Sequence, residues 1–411
     1  MPIFDQGYQH WKGPLAGHPW RWLAIARHGV RVQLKHRILR ILLILAWLPA
    51  LTLVVAVALW GLVEQKSAGV LGFASSILPA DMVLDAKAYR TTFWTLAYSI
   101  FFKVEMYLIM LSVVVAGPGL ISRDLRFNAL PLYFSRPLTR LDYFLGKLGV
   151  IGALVAAVAI GPALFAYLIG VCFSLDFGVI KDTYRVLLAS IAYGLIITLS
   201  VGTLMLALSS LSRRSLYVGI AWFGLWWISE AVAGILTAIH FEMARYEAMT
   251  EAQRIAASEV ERLRTENPDP ADQQARRARD QQISTLHNQA YQRAGERQEE
   301  AVAAAARTNW RMLPSYTANL IRLGEGLLNT DAAWVQIGRS VEQAQQVANQ
   351  PMRVFGKGGL AAKPPPINER RLADQIVPQY PWWWSGAVVA GLMGISAWTL
   401  SRRVKSLDRL K

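Results

Sequence analysis

The chain has 411 residues, 54% of them hydrophobic and 17% charged, with a mean hydropathy of +0.28 and a formal net charge of +15. Such apolar content excludes an ordinary soluble domain, and the single cysteine, Cys172, excludes an intrachain disulfide or a multi-cysteine metal site. The basic excess argues against a nucleic-acid partner, because residues 240 to 380 hold 18 Lys/Arg against 17 Asp/Glu and the excess lies on short segments flanking apolar runs, as in a membrane protein.

Met1 to Pro19 lacks the apolar core and cleavage site of a signal peptide, so nothing is expected to be removed. From Trp20 to Arg40, Leu23, Ala26, Val30 and Leu34 recur at helical spacing while Arg27, Arg31 and Lys35 form another stripe. Two readings stand: an amphipathic helix on the inner membrane surface, or a cytoplasmic extension of the first span. Ile41 to Val63 carries no charge over about 23 residues, enough to cross roughly 30 Å of hydrocarbon at 1.5 Å per residue. Glu64 to Thr92 then reads as an outer loop.

Phe93 to Ser122 predicts the second span, with Lys103 and Glu105 in its first half. An ionised side chain at mid-membrane costs about 2.5 to 3.5 kcal/mol, so these two either face a polar cavity or lie near the outer interface, where long side chains reach water. The connection Gly117 to Lys147 follows, with five Lys/Arg against two Asp, and the charge bias places it in the cytoplasm. Leu148 to Phe173, Thr183 to Leu211 and Leu216 to Ile239 predict spans three to five, with the inner turn Ser212 to Ser215 between the last two. Glu230, inside span five with no basic neighbour on that helix, must be protonated, paired across helices or in a wet cavity.

His240 to Tyr380 is too polar to be embedded and reads as an insertion. Phe241 to Glu266 and Ala271 to Arg307 have helical, alanine-rich patterns separated by the NPDP at Asn267 to Pro270, which predicts a hairpin with arms of about 35 to 50 Å. Its alanine stripe has little area to bury, so the hairpin either finds a neighbouring copy or another partner, or stays a solvated insert. Leu320 to Leu328 predicts a short interfacial helix, and Lys363 to Pro366 an extended linker. Trp382, Trp383 and Trp384 mark an interface leading into span six, which Arg402, Arg403 and Lys405 close on the inner side.

The expected fold is thus all-α and polytopic: a cytoplasmic segment 1–40, spans one to five over 41–239 with the connection 117–147, an extracytoplasmic helical insertion 240–380, a sixth span 381–401 and a cytoplasmic tail 402–411. Catalysis finds no footing in the sequence. GxxxxGK[ST], HExxH and GxSxG are missing, and His10, His18, His28, His36, His240 and His287 are not spaced as metal ligands. His28 and His36 read as part of a solvated basic stripe, and no cofactor is expected on this chain.

The N-terminal amphipathic segment, the six spans, the inner stretch ISRDLRFNALPLYFSRPLTRLDYFLGK and the RRVK ending together resemble the permease subunits of ABC-2-type exporters. The most specific piece is SRPLTRLDYFLGK, Ser135 to Lys147, where a Pro-Leu-x-Arg turn leads into a Tyr and a Gly-Lys. By that likeness Ser122 to Leu138 would be a coupling helix docking on a separate cytoplasmic ATPase subunit that holds ATP and Mg, with Asp124, Arg126, Arg136 and Arg140 as polar contacts. Phe127, Leu130, Leu132, Tyr133 and Phe134 could fill a groove there, or the segment could lie on anionic lipid through its arginines. The resemblance implies a bacterial inner-membrane exporter with both termini cytoplasmic, paired with a second permease copy or paralogue. Lys103, Glu105 and Glu230 are then candidates for the translocation path. The large insertion departs from compact members of the family, and 241–307 is a candidate surface for an extracytoplasmic partner. The contrasting expectation is a membrane-anchored scaffold whose hairpin recruits a partner without moving a solute.

Overall fold

A computed structural model describes residues 20–134, 138–266, 273–349 and 379–404. Among them the chain is all helical: α1 (Arg21–Gln33), α2 (Arg37–Leu45), α3 (Trp47–Glu64), α4 (Ala68–Ile77), α5 (Ala80–Leu84), α6 (Arg90–Ala116), α7 (Gly119–Arg126), α8 (Leu130–Phe134), α9 (Arg140–Val155), α10 (Gly161–Phe173), α11 (Gly178–Leu211), α12 (Ser215–Glu266), α13 (Gln273–Arg307), α14 (Tyr316–Leu328), α15 (Thr330–Asn349) and α16 (Trp382–Arg403). Six helical stretches are long and apolar enough to cross a membrane: Arg37–Glu64, Arg90–Arg126, Arg140–Phe173, Gly178–Leu211, Ser215–Arg262 and Trp382–Arg403. The N-terminal lead, Ser135 to Pro137, the NPDP turn, the proline linker and the tail from Lys405 lie outside the described residues.

The bundle is organised around α6. In its most apolar window 61% of residues are buried, against 22% in the first, fifth and sixth of these stretches, whose apolar faces remain exposed. Trp94 of α6 stacks with Tyr98 and meets Tyr167 edge-on, and it approaches α10 at Gly170, where an added Cβ would lie 2.5 Å from the indole ring. The Tyr98 hydroxyl donates to the Ala163 carbonyl at 2.9 Å, fixing the antiparallel register of α6 and α10. A π-helical turn, Ala156–Ile160, joins α9 to α10, followed by Pro162, which has no N–H to donate.

At the end of the bundle that carries the hairpin, Arg90 is fully buried and ties three elements together. Its guanidinium holds both oxygens of Glu64 at 2.7 Å, Asp182 at 2.8 Å and Asp176 at 3.2 Å. Lys87 also pairs with Asp176, at 2.6 Å. The stretch expected as a plain outer loop contains α4 and α5, with Phe73, Ile77 and Leu84 exposed.

Three features differ from the sequence expectation. The stretch from Trp20 to Arg40 is not one helix: α1 ends at Gln33 and α2 begins at Arg37. α1 packs on α9, where Gly146 leaves room for Ile25 and the Trp22 carbonyl; a Cβ there would lie 2.6 Å and 3.0 Å from them. Ala26 is buried in that contact, whereas Leu23 and Leu34, also placed on the apolar stripe, are exposed. Second, span five and the first hairpin arm are one helix, α12, of 52 residues or about 78 Å. Its distal part pairs with α13, and Ala248, Ala252, Val260, Ala294 and Ala305 are buried, so each arm covers the other's alanine stripe.

Third, the helix expected at Leu320 to Leu328 starts at Tyr316 and packs between the long apolar helices. The Tyr193 hydroxyl donates to the Leu320 carbonyl at 2.9 Å, and the Tyr316 and Ser200 hydroxyls are 2.8 Å apart. Tyr193 and Ser200 sit at mid-length of α11, so α14 lies level with the middle of that helix. Part of its polar surface is held within the protein, which the polarity of 240–380 does not reveal: Ser315 caps α14 by accepting from the Ala318 N–H at 2.9 Å and donates to Glu230 at 2.5 Å, whereas Thr317 Oγ1 and Asn319 Oδ1 are buried without a hydrogen-bond partner.

Candidate functional site

Two places gather charged residues, among them Asp124 and Lys103 from those that the sequence singles out. The first is the connection between α6 and α9. Ser209 of α11 accepts from the Ile121 and Ser122 N–H groups, both at 3.0 Å, and donates to the Pro118 carbonyl at 2.8 Å, pinning the start of α7. α7 ends where Asn128 adopts a left-handed conformation (φ 49°), with the Ala129 N–H donating to the Asp124 carbonyl at 2.8 Å. The turn sends α8 back over the first turns of α9. α9 itself starts with a capping box in which Thr139 and Asp142 satisfy each other's backbone N–H groups.

Asp124 holds this arrangement together. One carboxylate oxygen accepts from the Tyr143 hydroxyl and from the Lys147 ammonium, both at 2.7 Å. The Lys147 ammonium also sits over the rings of Tyr133 (5.6 Å) and Tyr143 (5.4 Å), which themselves meet edge-on. Burial, with the nearby Asp124 carboxylate, raises the Tyr133 hydroxyl above its ordinary pKa. The Tyr and Gly-Lys of the sequence motif are thus the internal partners of Asp124.

The sequence-predicted contact residues therefore separate into two groups. Asp124 and Tyr133 belong to the internal brace, while Arg126 and Phe127 face outward, the guanidinium 5.5 Å from the Phe127 ring centre. Phe127 and Leu132 are each 72% exposed, and Arg140 is exposed at the first residue of α9. Arg136 lies outside the described residues. Lys147 went unassigned in the sequence, because four other cations share the connection with it and none of their spacings singles out the partner of Asp124.

The second place is a cavity of about 420 Å³ where the base of the hairpin meets α6, α14, α15 and the start of α16. Lys103 lines it and pairs with Glu325 at 2.6 Å. Glu325 also accepts from Arg322 at 3.3 Å, and Arg322 grips Asp331 through two bonds of 2.9 and 2.8 Å and donates to the Tyr380 carbonyl at 2.8 Å. Burial alone would lower the Arg322 pKa, but Asp331 and Glu325 outweigh it and hold the guanidinium above its ordinary value.

Glu105 and Glu230 do not line this cavity with Lys103. Glu230 lies against Ser315, and Glu105 is fully buried with neither carboxylate oxygen hydrogen-bonded. The register set by Tyr98 and Ala163, continued seven residues along α6, puts Glu105 level with the π-helical turn. Arg322, Glu325 and Asp331 were missed in the sequence because they sit in a segment whose polarity hides its packing. Among the described residues no group of three or more His, Cys, Asp or Glu is placed to hold a metal ion. Comparison with family models, with curated proteins and with solved structures gave no match to this chain.

Proposed function

We propose that this chain is the permease subunit of an ATP-driven exporter of the ABC-2 type, in a bacterial inner membrane with both termini cytoplasmic. Hydrolysis of MgATP would occur on a separate subunit docked at the α7–α8 connection. One observation carries the reading: Phe127 and Leu132 project from a segment braced to two spanning helices by Asp124, Tyr143 and Lys147. Exposed apolar side chains on a rigid polar connection favour a partner groove, and their attachment to α6 and α9 lets a push there displace those helices. The exposed apolar faces of the first, fifth and sixth stretches leave room for lipid and a second permease copy. Lys103, Glu105 and Glu230 belong to the solute path in this reading, with Lys103 and Glu230 each beside α14.

The test is co-purification from membranes of a cell that expresses the chain with its ATP-binding subunit. The Phe127→Ala/Leu132→Ala variant is expected to keep its membrane insertion and lose the ATPase. Full retention of the ATPase by that variant overturns the assignment. A second reading, a scaffold that recruits a partner through the hairpin, has support in the exposure of Met243, Tyr246 and Ile255 on α12. In that case deletion of 241–307, and not the Phe127/Leu132 substitution, removes the bound protein.

A further inference from the structure

The cavity beside Lys103 has the size of a small-molecule site, and its electrostatics select among ligands. Three charged side chains line it, Lys103, Glu325 and Asp331, with Arg322 behind the two carboxylates, and they are not presented equally. Glu325 and Arg322 are sequestered, with side chains 9% and 3% exposed, whereas Lys103 and Asp331 are 41% and 40% exposed. The ligand therefore meets one ammonium and one carboxylate. Each already has an internal partner of opposite sign, so the group is neutral as a whole.

A neutral group with two separated poles discriminates by charge distribution. A purely anionic ligand drawn to Lys103 is repelled at Asp331, and a purely cationic one is repelled at Lys103. A ligand carrying both charges gains at both ends. The remaining walls are amphipathic. Phe241, Val302, Met312 and Trp334 supply apolar surface, while Thr237, Asn309 and Gln379 offer hydroxyl and amide groups. The Phe241 and Thr237 side of the cavity also lies where α12 passes from its apolar to its polar stretch, with Ile239 exposed between them.

We propose that this cavity binds a zwitterionic amphiphile, with its anionic group against Lys103, its cationic group against Asp331 and its apolar part on Phe241, Met312 and Trp334. The inference does not depend on the exporter reading, because binding here needs no ATPase and no transport.

The purified full-length chain in an uncharged maltoside detergent provides the test, with occupancy read by native mass spectrometry. Four probes are compared: lauroyl lysophosphatidylethanolamine, lauroyl lysophosphatidylglycerol, dodecyltrimethylammonium and trileucine. At least one of the two zwitterions, the ethanolamine lipid or trileucine, is expected to bind about tenfold more tightly than either singly charged amphiphile. Which of the two binds identifies a lipid headgroup or a free peptide as the source. Ala306→Phe, which fills the cavity from α13, should abolish that binding, and Val302→Phe one turn away serves if the first variant does not fold. Lys103→Met should erase the preference over dodecyltrimethylammonium. Equal binding of the charged and zwitterionic probes, no binding of either zwitterion, or unchanged binding in the cavity-filled variant overturns the proposal.

Discussion

The two ends of the helix bundle use buried charge in opposite ways. At the hairpin end, Arg90 collects Glu64, Asp182 and Asp176, and its side chain and that of Glu64 are almost wholly enclosed. At the other end, Asp124 and Lys147 form a partly buried pair enclosed by two tyrosines, next to exposed Phe127 and Leu132. The Arg90 network ties the ends of α3, α6 and α11 together around an enclosed guanidinium. A single pair that braces a connection from within leaves the outer face of that connection free for contact. The difference teaches that the ion pairs at both ends are structural, and that at the connection end the candidate contact surface is the apolar margin beside them.

The largest effect that would break this comparison is at Arg90. Arg90→Met leaves the Glu64 carboxylate buried with only the Ser174 hydroxyl, at 3.1 Å, and is expected to cost about 3–5 kcal/mol in stability. Thermal unfolding in detergent measures it, and adding Glu64→Leu should recover most of the loss. If the double variant is no more stable than the single one, the hairpin end is not clamped by this pair.

A smaller effect sharpens the other side of the comparison. Asp124→Ala removes the acceptor shared by Tyr143 and Lys147, a change worth about 1.5–3 kcal/mol for hydrogen bonds to a charged group. Limited trypsin digestion should then cut faster at Arg123 and Arg126. Phe127→Ala should leave the cutting rate at Arg123 unchanged, the comparison being confined to Arg123 because the Arg126 guanidinium sits over the Phe127 ring. Equal sensitivity of the two variants would mean that brace and contact surface are not separable.

The smallest effect concerns Asp176, at the rim of the Arg90 network. Its hydrogen bond from Lys87, with Arg90 adding to it, holds its pKa below the ordinary carboxylate range. A depressed folded pKa gives stability that is present above the unfolded value of about 3.9 and lost as pH falls through the folded value. The stability difference between wild type and Asp176→Asn should therefore be constant from pH 7 to about 5 and close below about 4. A difference that widened on acidification would contradict the pairing.

Much of the architecture was legible because an uninterrupted run of about twenty apolar residues has few fates. The capping box at Thr139 and Asp142 is likewise written locally, as Thr-x-x-Asp, although the expectation for this segment did not draw on it. The continuity of α12 did not, since sequence reading divides a chain where its polarity changes. No helix breaker stands between Ile239 and Arg245, so the helix passes from apolar to polar surroundings without a break. Nor did the role of α1, because a contact made through Gly146 depends on a missing side chain and shows no periodicity.

The sequence by itself determined the number of helices long and apolar enough to cross a membrane, the presence of a hairpin and the position of the basic connection, all of which depend on composition within a window of tens of residues. Only the tertiary structure decided which charges are partners. Lys103 and Glu325, Glu230 and Ser315, and Arg90 and Asp182 meet across long separations in the chain. Whether an opposite charge or a hydrogen-bonding group reaches a buried charge in space is set by how the helices pack, not by the order of residues along any one of them.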